Sequence, residues 1–272
     1  LFAGTSTGAI QACCLASGRY SAAEISQFYT EHGNTIFPPA NSLLKWGRWW
    51  LGAKHDHRPL EGLLQKFLID ADGKVLTMQD AVKPVICETF EWSSDRPIRL
   101  SNWEHPGMPM WVACRASSAA PTYFRPADVS LNGQEPVCLI DGGMDCNNPG
   151  VDAFAHLVLT DHVPDSDIAV ISIGTGRPRR FTSTREIMGM RLIQMLPKIF
   201  NTAMSTERTS QQLRVLGDRY VEIDCDLPDG ISAAMDDGSP EQMQSLAQVA
   251  AAHISRHPEQ FDRAVGLLEK SR

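Results

Sequence analysis

Ser6 stands between two glycines in LFAGTSTGAI, residues 1–10, so the chain opens with the pattern G-x-S-x-G directly after the apolar run Leu1-Phe2-Ala3. A serine hydroxyl can attack a carbonyl carbon once a base takes its proton and nearby donors steady the oxyanion that results. A turn from strand to helix suits that task. The serine is pushed outward there at the positive end of the helix, and Gly4 and Gly8 keep side chains out of a cramped bend. The same residues could also form a Gly/Ser/Thr loop without chemistry, because the pattern alone is common.

The base has to come from elsewhere in the chain. VCLIDGG, residues 137–143, places Asp141 at the end of an apolar strand, followed by Gly142 and Gly143, which allow a sharp turn and leave room for a substrate. Asp141 could instead begin a simple D-G turn or cap the next helix. A Ser-His-Asp arrangement would draw on His156 or His162, which follow Asp141 in the chain. Both fall in or at the end of a helical stretch, where a single histidine is usually structural or solvated, so the serine–carboxylate pair is preferred.

The surrounding elements must bring these residues together. AIQACCLAS after Gly8 reads as a buried helix of small residues stopped by Gly18. Ser21 and Glu24 form a capping box ahead of a second helix that Gly33 ends, and Pro59 opens a third with Leu60, Leu63, Leu64, Phe67 and Leu68 on one face. Residues 82–100 read as two extended segments joined at Ser93-Ser94-Asp95, and residues 109–121 as a helix broken at Pro121. VCLIDGG and DIAVISIGTG (167–176) are continuous apolar runs closed by glycines, as in strands covered on both faces of a parallel sheet, with GVDAFAHLVLTDH as the crossover helix between them. YVEIDC (220–225) is a further strand, and a helix follows Ser239-Pro240. The expected architecture is α/β, a three-layer sandwich with a mostly parallel central sheet flanked by helices, in one domain over residues 1–272.

The bulk properties narrow the function classes. The chain has 272 residues, 43% of them hydrophobic, and no apolar run long enough to span a bilayer. A net charge of −7 without a basic stripe argues against nucleic acid and against tight binding to strongly anionic lipid. Seven cysteines without C-x-x-C spacing, several within apolar runs, read as packed thiols rather than a disulfide framework, which suits a cytoplasmic location. His55-Asp56-His57 lacks the spaced partners of a metal site, and GTGR (174–177) lacks a P-loop lysine, so neither metal nor organic cofactor is expected. Asp236 and Asp237 read as surface charges. Trp46, Trp49 and Trp50, among Lys45, Arg48 and Lys54, fit either a segment dipping into a lipid headgroup layer, hence peripheral membrane contact, or a buried lid. RPRRFTSTR (177–185) could hold a phosphate or be a solvated loop.

GTSTG, ACRASSAAPTYFRP, DGGMDCNNP and ISIGTG together, in this order, resemble the patatin-like phospholipases from residue 1 to about 220. The resemblance implies a lipid acyl hydrolase of phospholipase A, lysophospholipase or lipase type, working through an acyl-enzyme with a Ser-Asp dyad. Ser6 would be the nucleophile and Asp141 the base. The N–H of Thr7 would be one oxyanion donor, Gly4, Gly8, Gly142 and Gly143 would shape the turns, and Asn147, Asn148 and Pro149 would buttress the loop leading into the next helix. The family's other oxyanion donors lie in a glycine-rich loop upstream of the serine. The expectation is therefore of a domain lacking that loop and its first strand, and the alternative is a catalytically weak lipid-binding or regulatory remnant of the same fold.

Overall fold

The computed structural model describes residues 1–38, 53–178, 206–232 and 234–270. The chain divides into two compact units, residues 1–149 with 236–239, and residues 150–235 with 240–272.

The first unit starts with β1 (Phe2–Thr5) and α1 (Thr7–Ala16). Helix α1 buries Ala9, Ile10, Ala12, Cys13, Cys14 and Ala16, side chains mostly small enough for the helix axis to lie close on a sheet. Helix α2 (Ala22–Ile36) begins with the capping box expected of Ser21 and Glu24. It does not stop at Gly33 but runs three residues further. Gly33 is there for packing: a Cβ at that position would lie 2.8 Å from the carbonyl oxygen of Gly238, whose backbone rests on the helix. Helix α3 (Arg58–Phe67) carries Pro59 in its first turn and buries Leu60 and Leu64. Strands β2 (Val85–Glu91) and β3 (Arg96–Ser101) form the expected hairpin. Helix α4 (Met110–Ser117), then β4 (Ala127–Ser130) and β5 (Pro136–Asp141), complete the unit. Helices α1 and α4 lie against the sheet, and α3 lies against α4.

The α/β class expected from the sequence is the class adopted, with a five-stranded sheet that is mixed in strand direction. Strand β1 runs parallel to β2, whereas β3 and β5 run antiparallel to β2, and β4 runs antiparallel to β5. The expectation that residues 137–143 and 167–176 are parallel neighbours is not met. β5 takes β2 and β4 as partners, and the later strand takes another. A continuous apolar run reports burial on both faces, and that signal carries no strand direction.

One detail of register governs the rest. Along a single edge of β2, Phe2–Thr5 pair with Val85–Glu88 and Leu139–Asp141 pair with Glu91–Thr89. Strands β1 and β5 therefore run toward each other and end on adjacent residues, Thr5 opposite Glu88 and Asp141 opposite Thr89.

The second unit contains α5 (Gly150–Leu159), β6 (Val170–Ile173), β7 (Arg177–Pro178), α6 (Glu207–Leu213), β8 (Tyr220–Ile223), β9 (Asp226–Leu227), α7 (Pro240–Arg256) and α8 (Pro258–Lys270). Strand β6 pairs with β8 and β7 with β9, both parallel. Leu213, Leu216 and Tyr220 form its core with Val151, Phe154 and Val170 against them. The glycine turn after β6 is braced by Asp224, whose carboxylate accepts the N–H of Gly176 at 2.9 Å and leaves no room for a Cβ at Gly174. No helix among the described residues is long and apolar enough to cross a membrane.

Candidate active site

Ser6 joins β1 to α1 with φ 56° and ψ −124°. Residues other than glycine seldom adopt a positive φ, and conformations of this kind are held only where the surroundings fix them. Several contacts do so here. The N–H of Ser6 donates to Ser117 Oγ at 2.9 Å, and that hydroxyl donates to the Glu88 carbonyl at 2.6 Å. The Thr5 hydroxyl donates to the carbonyl of Cys146 at 2.7 Å, and Tyr29 Oη donates to the carbonyl of Thr7 at 2.9 Å. The glycines contribute unequally. A Cβ on Gly4 would lie 2.1 Å from the Gly8 carbonyl oxygen, so strand and helix touch backbone to backbone, and a Cβ on Gly142 would lie 2.4 Å from the backbone of Glu88. A Cβ on Gly8 would meet no described atom within 4 Å, so the steric demand expected on both sides of Ser6 falls on Gly4 alone.

The Ser6 hydroxyl does not cap α1, and the helix starts beside it with Thr7 exposed. The N–H groups of a helix's first turn have no partner within the helix and point toward the space before it, where a developing negative charge gains from them.

Asp141 closes β5 and is fully buried. Its backbone N–H donates to the carbonyl of Ala119 at 3.1 Å, and its Oδ1 accepts the N–H of Gly143 at 2.8 Å. Oδ2 is buried without an aligned hydrogen bond. Burial pushes the carboxyl pKa up to about 6, against the opposing pull of hydrogen bonding from the Ser6 side chain and the Gly143 N–H. The Ser6 side chain thus acts on the Asp141 carboxyl, while Oδ2 has no aligned hydrogen bond.

The other residues singled out in the sequence go elsewhere. His55, Asp56 and His57 point to different partners: His55 Nε2 lies 2.6 Å from Asp236 Oδ2, Asp56 holds Arg58 at 2.5 Å, and His57 lies 3.7 Å from Glu61. Asp236 is not a surface charge, since its side chain is 8% exposed and also receives Lys54. His156 lies 3.6 Å from Asp161 within the second unit, and His162 is a turn residue with φ 55°. Trp46, Trp49 and Trp50, and all but the first two residues of 177–185, lie outside the described residues. All seven cysteines are free thiols. Ser117 and Ala119 had no chemical signature of their own in the sequence. Their signal was the run ASSAA at 116–120, small residues that allow backbone to approach backbone.

The structure thus sets a serine on a strained strand-to-helix turn near a buried carboxylate that ends another strand on the same edge of β2. A family model described as patatin-like phospholipase matches residues 1–155, more than half of the chain, and includes both residues. The chain belongs to the patatin-like phospholipase family. Among relatives, it is 30% identical to "Probable inactive patatin-like protein 9" of Arabidopsis thaliana, over 65% of this chain and 49% of that protein. It is 25% identical to "Patatin-like protein 1" of the same plant, over 99% of this chain and 75% of that one. The chain thus spans about half the length of the first relative and three quarters of the second. Among solved structures, VipD from Legionella pneumophila aligns with a TM-score of 0.41 at 14% identity, covering 92% of this chain and 61% of that one, a likeness too slight to bear on the site.

Proposed function

We propose that this chain, residues 1–272 as one hydrolase domain, cleaves carboxylic esters of lipids through Ser6 and Asp141 and an acyl-enzyme. The observation that carries the reading is the buried Asp141 carboxyl with Oδ2 unengaged and the Ser6 side chain against it. Oδ2 takes the hydroxyl proton as Ser6 Oγ attacks the ester carbon, and the oxyanion forms before the first turn of α1, where the Thr7 N–H is a donor. The proton passes to the departing alkoxide, the acyl group stays on Ser6, and Asp141 next activates the water that releases it. A carboxylate of ordinary acidity would be a weak base for an alcohol, and a pKa near 6 brings Asp141 closer to the operating pH. Expelling an alkoxide asks less of this acid than expelling an amine, which favours esters over peptides. Membership of the patatin-like phospholipase family supports a lipid as the ester.

The test is labelling with a fluorophosphonate. Ser6 should be modified in the wild type, not in Ser6→Ala, and at a rate reduced by at least about 100-fold in Asp141→Asn. A second reading, a lipid-binding remnant that does not turn over, is favoured by the relative named "Probable inactive patatin-like protein 9". A folded wild type that binds acyl chains but shows no labelling would establish it and remove the first.

A further inference from the structure

We infer that Ser117 is a positioning residue for the proposed nucleophile, and that the turn leaving α4 holds both members of the pair in register. The inference rests on the assignment of Ser6 and Asp141 above and deepens it. Strand β1 stops pairing at Thr5, opposite Glu88. In a continued parallel ladder the next bond would run from the N–H of Ser6 to the Glu88 carbonyl. The chain turns away at that point instead, with Ser6 at φ 56°, and the two backbone groups are left facing a gap. The Ser117 hydroxyl fills it with one atom, accepting from Ser6 N–H at 2.9 Å and donating to Glu88 C=O at 2.6 Å. Ser117 is fully buried, so no water is at hand to replace it. Two residues on, the Ala119 carbonyl accepts the N–H of Asp141 at 3.1 Å. Residues 117–119 therefore grip the backbone of Ser6 with one end and that of Asp141 with the other.

Without the hydroxyl, the Ser6 N–H loses its acceptor and the Glu88 carbonyl loses the bond from Ser117, both in a buried site. The strained turn loses a bond that holds it, and relaxation of φ at Ser6 swings Oγ away from Asp141. Misplacement of a nucleophile by about 1 Å can cost on the order of 100-fold in rate. The effect belongs to the chemical step, because Ser117 touches backbone and is shielded from substrate.

The experiment compares Ser117→Ala, the near-isosteric Ser117→Cys, which is a poor donor and acceptor, and Ser117→Thr, which keeps the hydroxyl. For the wild type and each variant, the rate of Ser6 labelling by a fluorophosphonate, kcat and KM on a short-chain nitrophenyl ester, and amide hydrogen exchange at Ser6 are measured. Labelling and kcat should fall about 10- to 100-fold in the Ala and Cys variants with KM within about 2-fold, return in the Thr variant, and track faster exchange at Ser6. Unchanged labelling in a folded Ala or Cys variant overturns the proposal, as does Ser6 exchange that matches the wild type, or failure of both variants to fold, which would assign Ser117 to stability alone. If the wild type itself is not labelled, the functional reading fails instead, and the exchange at Ser6 still decides whether Ser117 holds the turn.

Discussion

Removing the Asp141 carboxyl from water raises its pKa from 3.8 to about 6, and that shift acts on stability as well as on chemistry. A raised carboxyl pKa means that the folded protein prefers the protonated form. The stabilisation is complete below about pH 4 and is lost as pH rises through about 6, where ionisation in the dry site costs on the order of 3 kcal/mol relative to the unfolded chain. Asp141→Asn mimics the protonated acid. In denaturant titrations the variant should be more stable than the wild type by up to about 3 kcal/mol at pH 8, with the gap closing toward pH 4. Activity should move the other way, since only the ionised form is a base: kcat/KM should rise with pH around a midpoint near 6 and be lost at all pH values in the Asn variant. A gap in stability that does not change with pH would contradict the burial argument.

At the scale of elements, the contact between β1 and α1 is backbone on backbone, because nothing larger than hydrogen fits on Gly4. Gly4→Ala should lower stability by about 3 kcal/mol and abolish labelling of Ser6, whereas Gly8→Ala should fold with stability unchanged or raised by up to about 1 kcal/mol. Thermal unfolding of the two variants side by side checks this, and equal losses would show that the two glycines do the same work. The contrast also marks what the sequence could and could not tell. G-x-S-x-G was legible because it depends on a local turn, as were the Ser21–Glu24 capping box and the start of α3 at Pro59. The antiparallel direction of β5 was not legible, because pairing is decided by which edge of β2 is open. Gly33 read as a helix stop because its reason, the backbone of Gly238, lies 205 residues away in the chain. Ser117 was hidden for the same cause: a serine that serves two backbone groups looks like any other serine until those groups are found.

Across the whole molecule, residues 236–239 belong with the first unit although the residues before and after them belong with the second. Asp236 anchors this return, tied to His55 and Lys54, while Gly238 rests on Gly33. Burial by itself would raise the Asp236 pKa, but hydrogen bonds and charge from His55 and Lys54 outweigh it and hold the carboxyl down at about 2. The lowered value means that this stabilisation is present above pH 3.8 and fades as pH falls through about 2. At neutral pH, Asp236→Ala should therefore cost about 2–4 kcal/mol in chemical denaturation, with the loss shrinking at strongly acid pH. The head-to-head meeting of β1 and β5 has a consequence of a different kind. The gap between hydroxyl and carboxylate is not continuously adjustable, because each strand can move along β2 only in whole hydrogen-bonded steps. One residue inserted into or deleted from either strand displaces one partner by about 3.3 Å and turns its side chain to the opposite face. Descendants of this chain can lengthen their loops freely, but the proposed reaction would hold the length of these two strands fixed.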